Sequence, residues 1–226
     1  MSVSLQRARR SWLMTFGDVI TLLLTFFIMM IVLHKGETTK LQTWADSQVD
    51  ETFEQLQQFI VKENLQVLTL NRTAQGILVT INHSNAFKSG DYQPTEQLQS
   101  EIGLMGGLLK SAPLLGLEKD STDLLVLEQA KKSDLQWLIE VNVAGHTDSD
   151  HVDTHSRLRN NWFLSTLRAQ TVMKLLYESS GLPAELFSVD GYGEYQPIAS
   201  NSSKEDKAQN RRVEVLISAS FQKIQS

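Results

Sequence analysis

Residues 12–33 form a long, mostly apolar run in which Asp18 is the one charged side chain. At about 1.5 Å per residue such a helix reaches roughly 33 Å, enough to cross a hydrocarbon core. A carboxylate near the centre of such a segment costs about 2.5–3.5 kcal/mol on insertion scales. It is kept where it faces a partner, water or a passing ion, so Asp18 marks an ion-handling site in a membrane. On a helix, Thr15, Thr21 and Thr25 share its face, within about 120° at 100° per residue. Hydroxyls there can stabilise the ionised acid and help to dehydrate a cation. Asp18, Thr21 and Thr25 are therefore the candidate ion-conducting residues, and Gly17 lets a neighbouring backbone come close.

A cleaved signal peptide is the competing reading of this run. The run exceeds the usual hydrophobic region, contains Asp18, and ends in Leu33, His34 and Lys35 without a small-residue cleavage site. A permanent transmembrane helix over residues 12–34 is expected instead. Arg7, Arg9 and Arg10 precede it and Lys35 and Lys40 follow it, which places residues 1–11 in the cytoplasm and the rest across the membrane. The expectation is a single-pass inner-membrane protein with a periplasmic C-terminal domain. Asp18 then lies about 9 Å inward from Trp12, in the cytoplasmic third of the bilayer.

The 226 residues leave room for one ordinary globular domain beyond that helix. A net charge of −5 argues against a nucleic-acid surface. With no cysteine there is no disulfide, thiolate nucleophile or cysteine metal site. Residues 35–75 are polar and read as a linker. Leu41, Trp44, Val49, Phe53, Leu56, Phe59, Ile60 and Leu65 nevertheless recur at helical spacing, so part of it is an amphipathic helix that could pair or cover a pore as a plug.

From residue 76 to 226 the pattern is that of one α/β domain. Strands are predicted over 76–81, 137–144, 186–189 and 212–217, and helices over 94–109 and 162–177. Residues 87–92 read as a turn, and 111–133 as an insertion with a short strand near 124–127. The order gives a mixed sheet with helices on one face, an α+β sandwich.

Two sets of residues carry the chemistry of that domain. They are Ala144-Gly-His-Thr-Asp148 with Asn161-Trp-Phe-Leu-Ser-Thr-Leu-Arg168-Ala169, and Gly191-Tyr-Gly-Glu194 with Asn210-Arg-Arg-Val-Glu214. A carboxylate at a strand end and an arginine on the next helix can converge on a zwitterionic, amino-acid-like ligand. Asp148 would take its ammonium and Arg168 its carboxylate. The same residues could equally form an internal ion pair. His146, Asp148, Asp150, His151, Asp153 and His155 are also potential metal ligands, but they show no closed set and no metal is expected.

These motifs resemble the OmpA-like peptidoglycan-binding domain, over roughly residues 76–218. The segment around Asp18 resembles the membrane helix of MotB-type stator subunits of the bacterial flagellar motor, and the two in this order resemble the MotB arrangement. Gly17 stands where the family commonly has alanine or serine, and residues 111–133 match no family pattern. The resemblance implies that Asp18 carries the ion, a proton or sodium, the threonine oxygens leaning to sodium. It implies that Thr147, Asp148, Leu164, Arg168 and Arg211 line a site for the diaminopimelate-bearing stem peptide of peptidoglycan. It further implies a homodimer inside a ring of MotA-type subunits, with no cofactor and no enzymatic activity. A non-flagellar ion-driven machine, or a wall tether with an inert membrane helix, stays open.

Overall fold

A computed structural model of the chain describes residues 3–82, 86–88, 90–115, 121–152 and 157–223, without the side chains of 3–11, 33–39, 121 and 122. It divides into two compact units, Met1–Thr43 and Trp44–Ser226. Helix α1 (Val3–Lys62) contributes to both.

In the first unit, Trp12–Val32 has a mean hydropathy of 2.2 and is wholly exposed. By length and composition it can cross a membrane.

The second unit takes in the rest of α1. Ala45, Gln48, Val49, Thr52 and Leu56 are buried, at the spacing of one helical face. Thr52 Oγ1 accepts the Leu114 amide at 3.0 Å. The Trp44 indole donates to Asp123 at 2.8 Å and meets the Trp137 ring edge-on, with centroids 5.0 Å apart. The solvated linker expected here is thus corrected from Trp44 onward, because its apolar stripe belongs to the core. The sheet also starts before residue 76. Strand β1 (Leu68–Thr73) forms a hairpin with β2 (Gly76–Asn82), and Glu101 fixes its entry by accepting the Gln66 and Val67 amides at 3.1 and 2.9 Å.

The remaining elements are α2 (Glu96–Leu109), α3 (Ser121–Lys132), β3 (Leu135–His146), α4 (Asn161–Ser180), a short 3-10 turn (Ala184–Leu186), β4 (Phe187–Gly193), α5 (Lys204–Asn210) and β5 (Arg212–Lys223). Thr95, and not Pro94, opens α2, its hydroxyl accepting the Leu98 amide. The strand expected over 124–127 is a helical stretch of α3. Leucine suits a helix, Asp123 lies in the first turn, and Lys131 and Lys132 lie in the last, as the helix dipole favours. Asn160 caps α4, and Gly181, at φ +63, ends it in the left-handed region.

The five strands run β1-β2-β5-β3-β4, antiparallel except for β3 beside β4. Register aligns the core in rows across the sheet. Ile77, Ile217 and Val141 form one row, and Val79, Val215, Val143 and Val189 the next. Leu98, Ile102 and Met105 of α2 and Ala169, Val172 and Leu176 of α4 join them in the core. The third row changes character, running Ile81, Val213, Gly145, Gly191. A Cβ on Gly145 would lie 2.0 Å from the Ser165 carbonyl oxygen, and one on Gly191 would lie 2.0 Å from Thr166 Oγ1. Both glycines therefore exist to admit the backbone of α4.

Gly145→Ala is expected to lose about 1–3 kcal/mol of stability through overpacking. Gly107→Ala, on the exposed side of α2 with nothing within 4 Å of the added methyl, should gain about 0.5–1 kcal/mol. Urea unfolding of the two variants measures both.

Candidate functional site

The first candidate site is the strip around Asp18. Thr15, Thr21 and Thr25 each donate their hydroxyl to the carbonyl three residues earlier, of Trp12, Asp18 and Leu22, all at 2.9 Å. Thr21 and Thr25 thus spend these protons on the helix backbone instead of on the Asp18 carboxylate. Their oxygens keep lone pairs for a cation or a partner. Asp18 makes no ion pair among the described residues.

The second site forms where the close approach of α4 brings its first turns over the end of β3. The Thr147 amide donates to the Gly193 carbonyl at 2.9 Å, and the Gly193 amide donates to buried Ser165 at 3.0 Å. These bonds fix the chain as it leaves the sheet. Asp148 follows at once and is buried. Its Oδ2 accepts Arg211 Nη1 at 2.6 Å, and its Oδ1 accepts the Asp150 amide at 3.2 Å.

Arg168 is 3% exposed. Its Nε donates to the Asp91 carbonyl at 3.0 Å, and its guanidinium lies 5.5 Å from the centroid of the Phe87 ring. Burial lowers its pKa to about 10; the Asp148 charge opposes this, Arg211 adds to it, and Asp91 opposes it. It stays charged near neutrality. Its Nη groups make no hydrogen bond among the described residues. The internal ion pair left open by the sequence therefore exists, but it joins Asp148 to Arg211, while Arg168 keeps a free donor edge. Two guanidinium groups around one carboxylate suit an anionic ligand group.

Leu164 is buried on the face of α4 that also carries Arg168, one turn earlier. Thr147 Oγ1 is buried and makes no hydrogen bond among the described residues, an acceptor and donor held ready beside Asp148. The five expected residues thus lie on elements that meet at one end of the sheet.

Several residues that matter here went unassigned in the sequence. Asn161 donates through Nδ2 to the Asp150 carbonyl at 3.0 Å, to Glu194 at 2.7 Å and to the Asp148 carbonyl at 3.4 Å. Asn210, fully buried, holds the loop after β4 by accepting the Ile198 and Ala199 amides at 2.8 and 3.0 Å. Both stand in the quoted motifs, and their presence there was the only available signal. Asp91 acts through its main chain, which leaves none. Of the possible metal ligands, Asp150 pairs with Lys207 at 2.6 Å, and Asp153 and His155 lie outside the described residues. No three such side chains converge among the described residues.

Two family models match the sequence, the OmpA family over residues 117–211 and the membrane MotB of the proton-channel complex MotA/MotB over residues 4–50. Motility protein B of Bacillus subtilis is 35% identical over 164 residues, which cover 72% of this chain and 53% of that protein. The chain thus spans about half the length of that relative. The periplasmic domain of Helicobacter pylori MotB has the same fold, with a TM-score of 0.52 at 22% identity over 69% of this chain and 82% of that one. The cell wall anchor of the T6SS from Pseudomonas aeruginosa gives a TM-score of 0.53 at 26% identity, over 72% of this chain and 96% of that one.

Beneath the charged cluster lies His146, 2% exposed. Its ring stacks on Tyr192 with centroids 5.2 Å apart, and its Nε2 is 3.7 Å from Glu214, too far for a hydrogen bond. Glu214 instead accepts Arg212 Nε at 2.6 Å. Burial lowers the His146 pKa from 6.5 to about 4; the Arg212 charge adds to this and Glu214 opposes it. Between those pH values the unfolded chain binds a proton that the folded chain refuses. Stability should therefore fall as pH drops from about 6.5 toward 4, by on the order of 3 kcal/mol in total. His146→Phe should flatten that limb in urea unfolding between pH 4 and 7. Parallel curves for the two proteins would remove the imidazole as the titrating group.

Proposed function

The chain is a MotB-type protein with an OmpA-like domain, and on that footing we propose that it is a stator subunit of an ion-driven flagellar motor. Residues 12–34 anchor it in the bacterial inner membrane with its N-terminus in the cytoplasm, and the folded unit stands in the periplasm. A dimer sits within a ring of MotA-type subunits. One observation carries the reading: a lone carboxylate in a membrane-length apolar helix shares a chain with a buried Asp148, paired to the half-buried Arg211 and flanked by buried Arg168.

In this reading a proton or sodium ion entering from the periplasm neutralises Asp18, with Thr21 and Thr25 lining its path. Release to the cytoplasm restores the charge. Each 100 mV supplies about 2.3 kcal/mol per charge moved, enough to bias a two-state contact between Asp18 and its surrounding ring. The periplasmic domain holds the unit still against the wall. The free edge of Arg168 takes a carboxylate of the diaminopimelate-bearing stem peptide, and Thr147 and Leu164 complete the site. Asp148 takes its ammonium while sharing its charge with Arg211. The role is one of force transmission, with no enzymatic step.

Likeness to a cell wall anchor of a secretion system favours a second reading, a wall tether whose membrane helix carries no ion. Asp18→Asn separates the two. In a stator it abolishes swimming and ion flow while membrane insertion persists, and in a tether it is silent. Swimming speed against external sodium at fixed pH identifies the ion. Asp148→Ala and Arg168→Ala should each abolish co-sedimentation with purified sacculi and leave membrane insertion intact. Undiminished sedimentation of both would remove the site.

A further inference from the structure

Gly145, Gly191 and Gly193 point at α4, so strand alternation turns Tyr192 and His146 to the opposite face of the sheet. Val213 and Val215 lie in the core, which turns Arg212 and Glu214 the same way. These four side chains make a second polar cluster behind the first. His146 is buried in it, and neither ring nitrogen makes a hydrogen bond among the described residues. A neutral imidazole carries one N–H and one bare nitrogen, so this ring keeps both unused, with Nε2 3.7 Å from Glu214 Oε2.

The two clusters belong to one closed ring of residues. Main chain joins His146 through Thr147 to Asp148, which accepts Arg211 at 2.6 Å. Arg211 is followed by Arg212, whose Nε donates to Glu214 Oε1 at 2.6 Å. Glu214 Oε2 then faces His146 across the gap of 3.7 Å that alone leaves the ring open. Arg212 also donates to the carbonyls of Asn210 and Gln196 at 3.4 and 3.5 Å, so its position sets the chain beside Arg211. The other charged groups on the surrounding elements are engaged elsewhere. Asp190 of β4 accepts Asn142 at 2.7 Å, Lys207 of α5 pairs with Asp150 at 2.6 Å, and Arg168 of α4 donates to the Asp91 carbonyl. Arg212 and Glu214 are therefore the charges to which His146 answers.

We propose that His146 is a positioning residue that couples the stem-peptide site to protons. Uncharged, it leaves Glu214 to Arg212 and so keeps Arg211 on Asp148. Charged, it repels Arg212, draws Glu214 toward itself and loosens that pair, which takes one of the two guanidinium groups from the ligand's anionic end. The coupling rests on the wall-binding reading above. Proton and peptide then oppose each other, and each weakens the other by the same factor.

The test uses the full chain in detergent and the free stem tripeptide ending in diaminopimelate. The imidazole signals are followed by NMR as pH falls from 7.5 to 3.5, with that of His146 identified by its loss in His146→Phe. Saturating tripeptide should lower the His146 midpoint by about one pH unit, a tenfold preference for the uncharged ring. In parallel, the weakening of tripeptide binding from pH 7 to pH 4 should be about twofold greater in the wild type than in His146→Phe. His146→Gln, polar and uncharged, should behave as His146→Phe does. All three proteins share the same ligand and the same carboxylates, so the difference belongs to the imidazole. A ring with only a structural role would change affinity by one factor at both pH values. An unmoved midpoint, or equal weakening in all three proteins, would overturn the coupling and leave the stem-peptide site standing. Failure of the wild type to bind the tripeptide at pH 7 would overturn both.

Discussion

The charged site at the end of the sheet exists because α4 lies with its backbone almost touching the ends of β3 and β4. Two glycines open that space, and a side chain at either would push the helix away. The approach lets buried Ser165 take the Gly193 amide, lets Gly193 take the Thr147 amide, and so directs Asp148 toward Arg211. Charge is the last step in this sequence, and packing comes first. The two glycine-bearing motifs are therefore steric statements before they are chemical ones.

That order explains how the polar groups are tolerated. Buried Asp148 is compensated by Arg211 and by a backbone amide, while Arg168 is held from the side by the Asp91 carbonyl and the Phe87 ring. Removing one member of such a set leaves the other charged in a poorly solvated place. The groups not fully used, the Nη edge of Arg168 and the Thr147 hydroxyl, are where a ligand could repay its own loss of water. The membrane strip is built on the opposite plan, with hydroxyl protons already committed to the helix and Asp18 left for whatever comes to it.

Much of the fold was readable wherever a single period dominated. The apolar run of Ile77, Val79 and Ile81 and the helical spacing of the leucines in α4 placed their elements closely. Reading failed where local texture and tertiary role diverged. Asn71 and Arg72 made β1 look like loop, although pairing with β2 decides it. The helical face around Thr52 was legible, but its polar surroundings read as a linker and not as part of the domain core, and the leucines of α3 fitted a strand as well as a helix. Asp148, Arg168 and Arg211 could be named in advance as belonging together. Which arginine takes the carboxylate could not, because Nε of Arg168 is claimed by a peptide carbonyl remote in sequence.

The stretch of α1 from Trp44 to Lys62 has a mechanical consequence. It is fastened along its length by Trp44, Val49, Thr52 and Leu56, so a pull at the domain's leading end is resisted in shear by several contacts at once. A peeling geometry would present the same contacts one at a time. Under a load along that helix, the parallel fastening makes these contacts give way together and not in turn.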